Sequence, residues 1–321
     1  MRALLAVSTS WFTRRESTPE TIVAGLRSLG AEGVELDFRL TPEALARLRR
    51  LLRQAGIPVV SVHNFCPVPD LAPKPEDPFL FTSEDERERE LALRYTLKTI
   101  EDERERELAL RYTLKTIECA ADMEAGAVVL HLGEVPGCAP LAERLYELYA
   151  AGEIASTAAR AAQASLATVR AAGSGKCLDR VLLALDRILR VAERLGVKVG
   201  VENRYHYYEV PSPEETDRLL QEFAGAPLGS WYDTGHAHHW EVMGWTAPGE
   251  LLDRFAPWLV GVHLHDARGR DDHLAPGVGE IDFQRVAARL RPEVLRVAEA
   301  HGKEDLATYR DGLEGLRRLG F

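Results

Sequence analysis

The stretch Leu259–Phe283, LVGVHLHDARGRDDHLAPGVGEIDF, decides the reading of this chain. Val260, Val262 and Leu264 alternate with His263 and His265, the period of a β-strand, so the two histidines share one face and the aliphatics the other. The strand runs into a Gly- and charge-rich loop, GRDDH, that adds Asp271, Asp272 and His273. His263, Asp271 and His273 are imidazole and carboxylate groups of the kind that bind divalent metals. One such strand end is a weak signal. The argument rests on its repetition elsewhere.

Working outward, seven further strands are expected. They are Leu4–Ser8, Gly33–Phe38, Pro58–Phe65, Ala127–Glu134, Val197–Arg204, Leu228–His236 and Glu293–His301. Helix signals lie between them. Thr18-Pro19-Glu20 and Thr41-Pro42-Glu43 place a cap residue before a proline at the first helical position, and Ser212-Pro213-Glu214-Glu215 adds a capping box. Eight strands alternating with helices predict a closed (β/α)8 TIM barrel in the α/β class, a single domain over 1–321. In such barrels the chemistry sits at the carboxyl ends of the strands. His63, His131, Glu202, Asp233, His236, His263 and Glu299 all fall near those ends. A core cannot hold seven unpaired polar groups, and shared metal coordination would satisfy them together.

Composition narrows the function. The chain has 321 residues, of which 45% are hydrophobic, enough for one large core. A net charge of −10 argues against nucleic acid and anionic membranes as partners. No apolar run is long enough to span a bilayer, and the N-terminus lacks a signal-peptide core. Cys66, Cys119, Cys138 and Cys177 show no CxxC pair. A cytoplasmic protein with reduced thiols is expected.

Two regions depart from a plain barrel. EDERERELALRYTLKTI occurs twice in tandem, at 84–100 and 101–117. The second copy leads into strand four and is the candidate third helix, with a stripe of Leu110, Leu114, Ile117 and Ala121. At roughly 100° per residue, a 17-residue offset turns the two stripes ~100° apart. One continuous helix cannot bury both, so the first copy is expected to project from the body. The second departure is 136–178. Its Ala-rich part reads as helix and Gly173-Ser174-Gly175 as a break. It is a helical insertion between strands four and five, open to a role as a lid or as a homo-oligomer contact.

SVHNFCP (Ser61–Pro67), VVLHLGE (Val128–Glu134), VENR (Val201–Arg204), YDTGHA (Tyr232–Ala237) and the HLHD…DDH…PGVGEIDF run resemble the sugar phosphate isomerase/epimerase group of the xylose isomerase-like barrels. The resemblance implies one divalent metal (Mn²⁺, Mg²⁺, Co²⁺ or Zn²⁺) held by Glu202, Asp233, His263 and Glu299. Glu202 and Glu299 would then move a proton alpha to a carbonyl in a small sugar, sugar phosphate or polyol. A dehydratase would share the first half of that reaction. The chain also resembles the endonuclease IV class, which acts on abasic DNA with three zinc ions. That set implies further ligands at His63, His131, His236, Asp271 and His273, and so one to three ions. A barrel that binds metal without catalysis is the remaining alternative. Arg204, Arg268, His265 and Trp231 are the expected substrate contacts; Arg270 is a further candidate to hold a substrate phosphate or carboxylate, with a solvated loop charge the favoured reading for it; Trp240, Trp245, Tyr205, Tyr207 and Tyr208 are further aromatics near the strand ends.

Overall fold

The computed structural model describes residues 4–69 and 103–321. The barrel strands are β1 (Leu5–Ser8), β2 (Gly33–Leu36), β3 (Val59–His63), β4 (Ala127–Leu130), β5 (Lys198–Glu202), β6 (Leu228–Asp233) and β7 (Leu259–Leu264). A hairpin, β8 (Asp266–Arg268) and β9 (Asp271–Leu274), follows β7, and β10 (Leu295–Ala298) completes the barrel. The parallel strands pair in sequence order and close through β7, β10 and β1, as the (β/α)8 reading requires. The strands are shorter than the sequence suggested, because their ends do other work. Asp233 ends β6 and caps the helix that follows, accepting from the His236 backbone N–H at 2.7 Å. His236 therefore stands on helix, not strand.

The interior is layered. Ala6, Ala127, Val129, Trp231, Val260 and Val297 form an apolar cluster of their own inside the sheet. Trp231, expected at the mouth as a stacking platform, is fully buried in this layer. It fits because its neighbours on β5 and β7 are glycines. A Cβ on Gly261 would sit 2.3 Å from the Trp231 ring, and one on Gly200 2.7 Å. Two residues further along the same strands, period two returns to the inside with Glu202, Asp233, His263 and Glu299. The apolar layer thus floors a polar one.

The helices that shape the mouth are α1 (Ser10–Thr13), α2 (Pro19–Ser28), α3 (Pro42–Ala55), α4 (Glu103–Asp122), α5 (Ala139–Ala150) and α6 (Thr157–Leu195). Next come α7 (Pro213–Glu222), α8 (Thr234–Val242), α9 (Glu250–Phe255), α10 (Phe283–Ala287) and α11 (Leu306–Arg318). The second copy of the duplicated segment forms most of α4. Leu110, Ile117 and Ala120 are buried, while Glu107 pairs with Arg187 on the surface of α6. The projection expected of 84–100 lies outside the described residues. Among the described residues, no helix is long and apolar enough to cross a membrane.

The break expected at Gly173-Ser174-Gly175 is absent, and α6 runs unbroken for 39 residues. Tertiary packing overrides the two glycines. Arg170, one turn before them, bonds both Glu215 carboxylate oxygens and the carbonyls of Tyr207 and Glu209. This buried pair ties α6 to the β5–α7 loop. The two glycines are not equivalent: a Cβ on Gly173 would lie 2.6 Å from Val135, whereas one on Gly175 meets open space. Gly175→Ala is therefore expected to stabilise the protein by about 0.5–1 kcal/mol, through helix propensity. Gly173→Ala should bring no gain. Urea denaturation of both variants checks the pair.

Candidate metal centre

His263 is the hub of the polar layer. Its Nδ1 lies 2.9 Å from Glu202 Oε1, 2.9 Å from Glu299 Oε2 and 3.7 Å from Asp233 Oδ2. Its Nε2 lies 3.0 Å from Glu35 Oε1. All five side chains are buried. One ligand atom each from Glu202, Asp233, His263 and Glu299 falls within 4.8 Å of the others. Two further groups abut this one. Glu202 also belongs with His63 and His131, and Asp233 with His236 and His273. His131 Nε2 is 2.5 Å from Glu202 Oε2. The Nδ1 atoms of His63 and His236 lie 3.0 Å from the carbonyls of Asn64 and Asn203, which directs each Nε2 inward.

The electrostatics favour a cation here. Burial alone would depress the pKa of His263, but Glu299, Glu35 and Glu202 outweigh it and hold the imidazole well above its usual value. Burial would raise Glu202, yet His263 and His131 draw it well below the ordinary carboxylate range. Glu299 is likewise held down, against burial, chiefly by His263. Burial, with Arg204 nearby, pushes His131 down to about 3 and keeps its lone pair available. So many buried anions need positive charge among them. Mixed carboxylate and imidazole donors fit Mg²⁺, Mn²⁺, Co²⁺ or Zn²⁺.

Not every expected residue arrives. His265 sits behind the centre, with Nε2 2.9 Å from both Asp233 oxygens and its ring stacked on His273 at 3.9 Å. It braces Asp233 and does not line the cleft. Asp271, expected as a ligand, is exposed and bonds Lys303 at the rim. Its neighbour Asp272 turns inward instead, with Oδ2 3.1 Å from His273 Nδ1, and His273, at a left-handed φ of 52°, faces the cleft beside it. Arg268 is exposed and donates to the Val278 carbonyl at 2.5 Å, away from the cleft. Arg204 is buried at the cleft wall, bonded to Glu209 through Nε and Nη2, with Nη1 3.5 Å from Glu202. Tyr207 and Trp245 stack on each other at 3.7 Å as loop packing, whereas Tyr205 does line the cleft.

Several groups escaped sequence reading. Glu35, inside β2, bonds His263 and takes the Ser61 hydroxyl at 2.7 Å. An acid in the middle of the GVELDF strand was the available signal. Tyr146, on α5 of the insertion, bonds His206 Nδ1 at 2.6 Å. His206, Glu209 and Arg270 line a cleft of about 420 Å³ above the centre, a size suited to a small molecule. Glu35 fixes the tautomer and angle of His263, so Glu35→Gln should lower divalent-metal affinity by roughly 10–100-fold. Competition with a fluorescent chelator measures this; unchanged affinity would remove Glu35 from the centre.

The comparisons come to bear on this geometry. The model of the xylose isomerase-like TIM barrel family matches residues 99–319. A segment of 122 residues is 33% identical to the uncharacterized protein MJ1311 of Methanocaldococcus jannaschii, covering 36% of this chain and 39% of that protein. The match thus spans well under half of that relative. Among solved structures, a D-tagatose 3-epimerase-like protein superposes with a TM-score of 0.65 at 20% identity, over 99% of this chain and 98% of that one. The 3-keto-D-glucoside 4-epimerase YcjR from E. coli does so with a TM-score of 0.60 at 14% identity, over 99% of this chain and 100% of that one. Identities this low speak for the fold alone. The family match covers more than half of the chain, which therefore belongs to the xylose isomerase-like TIM barrels.

Proposed function

We propose that this protein is a metal-dependent isomerase or epimerase of a small carbohydrate, transferring a proton at the carbon next to a carbonyl. One observation carries the reading: Glu202 and Glu299, from different strands, each approach the same His263 nitrogen to 2.9 Å in one buried cluster. Both carboxyls are held ionised, the state a base requires. A bound divalent ion would supply Lewis-acid stabilisation of the negative charge that builds on the carbonyl oxygen. One carboxylate takes the C–H proton, and the other, once protonated, returns a proton from its own side. Delivery to the same carbon gives an epimer; delivery to the adjacent carbon gives an isomer. Loss of a hydroxyl after the first step would give the dehydratase outcome. Arg204, fixed by Glu209, holds the Glu202 carboxylate in place. The D-tagatose 3-epimerase-like protein and the 3-keto-D-glucoside 4-epimerase that share this fold support the same class.

A second reading has its own observation. Three donor groups abut through Glu202 and Asp233, an arrangement able to seat more than one ion. That favours a multi-metal phosphodiesterase of the endonuclease IV type. The net charge of −10 weighs against a nucleic-acid substrate.

Incubation of candidate ketoses with the protein in deuterated water tests the first reading. Deuterium should enter the carbon beside the carbonyl. Glu202→Gln and Glu299→Gln should each slow entry by about 10²–10⁴-fold. Chelation should stop it, and added divalent metal should restore it. Exchange that survives both substitutions would sink the assignment. Metal analysis and cleavage of abasic-site DNA address the second reading, for which about three ions per chain and strand scission are expected.

A further inference from the structure

We propose that the substrate carries a terminal anionic group, a phosphate or a carboxylate, and that Arg270 receives it; this rests on the carbohydrate reading above. Arg270 stands at the tip of the β8–β9 hairpin, where sequence reading leaned to a solvated charge over a substrate contact. Two contacts fix it. The Tyr205 hydroxyl donates to its carbonyl at 2.7 Å, and its guanidinium lies over the Tyr146 ring, 3.5 Å from the centroid. The side chain lines the same cleft as Glu202 and Glu299.

Its guanidinium Nε is buried with no hydrogen-bond partner. The neighbouring cations are committed. Arg204 is held by Glu209, Arg170 by Glu215, and Lys303 by Asp271. Arg270 faces no carboxylate within ion-pair distance among the described residues. Stacking on a tyrosine face leaves the in-plane donors of a guanidinium open, in a fork that matches two oxygens of a carboxylate or phosphate. A guanidinium half-sheltered from water without a counter-ion is costly, and a ligand oxygen pair would relieve that cost. Local charge is needed for another reason. The chain is strongly acidic and the cleft floor is carboxylate-lined, so an anionic substrate gains nothing from the overall field. Burial first, and Arg270 in addition, hold the His206 imidazole down to about 4. No second positive charge therefore competes from that imidazole.

Calorimetric titration of the full chain as isolated, with fructose, fructose 6-phosphate, gluconate and inorganic phosphate, tests the assignment. At least one anion should bind roughly ten-fold or more tightly than fructose, the value of one charge-assisted hydrogen-bond pair. Arg270→Ala should abolish that preference, weakening the anion far more than fructose. Arg270→Lys, which keeps the charge but not the fork, should retain part of it. The relative gains of fructose 6-phosphate and gluconate identify which anion the site takes. Equal binding of charged and neutral sugars, or a preference that survives Arg270→Ala, overturns the proposal, as does binding of no anion in an Arg270-dependent way. If Arg270→Ala is unfolded by circular dichroism, the Arg270→Lys comparison still decides. The two readings fail separately. Glu202→Gln should keep the anion preference while losing proton exchange, and exchange on neutral sugars without Arg270 dependence sinks only this inference.

Discussion

The structure depends on one electrostatic constraint: Glu35, Glu202, Asp233 and Glu299 surround the single imidazole of His263 inside a closed barrel. Four like-charged carboxyls at that spacing repel one another in a medium that screens poorly. Only positive charge at the centre makes the arrangement tolerable. The demand shows in His263, whose pKa Glu299, Glu35 and Glu202 raise against complete burial. A divalent cation answers the same demand and orders the carboxylates around one point. The centre and the fold are therefore linked, because the strands that close the barrel also bring the charges together.

The layer beneath makes this possible. Trp231 fills the barrel just below the carboxylates, and Gly200 and Gly261 give it room on either side. A side chain at either glycine would displace the ring toward the polar layer. The indole also lies between the centre and the far end of the barrel, while the cleft opens on the opposite side. Aromatic bulk thus does structural work that the strand-end position had suggested was substrate contact.

Much of this was legible in the chain. Period two in VGVHLH, together with VENR and YDTGH, carried both the strand positions and the polar ends, because alternation and strand-end chemistry are local signals. The eight-strand barrel followed from counting. What escaped was non-local or conformational. Glu35 is one acid in an otherwise ordinary strand, and its partner His263 lies 228 residues away. Asp271 and Asp272 are adjacent and chemically alike; only the register of β9 decides which turns inward. Arg268 and Arg270 differ in the same way across the hairpin turn. Gly173 and Gly175 read as a helix break, but Arg170 anchors α6 so firmly to the β5–α7 loop that the helix continues through them.

Hydrogen bonds and ring contacts tie down the loops above the barrel, and this bears on what the cleft can select. Asp266 accepts from the backbone N–H groups of Ala267, Gly277 and Ile281 and so ties the hairpin base to the loop that follows it. Tyr205 holds the hairpin tip, and Tyr146 joins that tip to His206 across the mouth. α5, part of the insertion between β4 and β5, thereby backs two residues that line the cleft, His206 and Arg270. Carboxylates at the floor can act on many polyols, since proton transfer needs only a carbonyl and a neighbouring C–H. Discrimination among them must come from groups held rigidly at a distance from the reacting carbon. In this barrel those groups belong to the hairpin and to the β5–α7 loop, which α5 braces from behind.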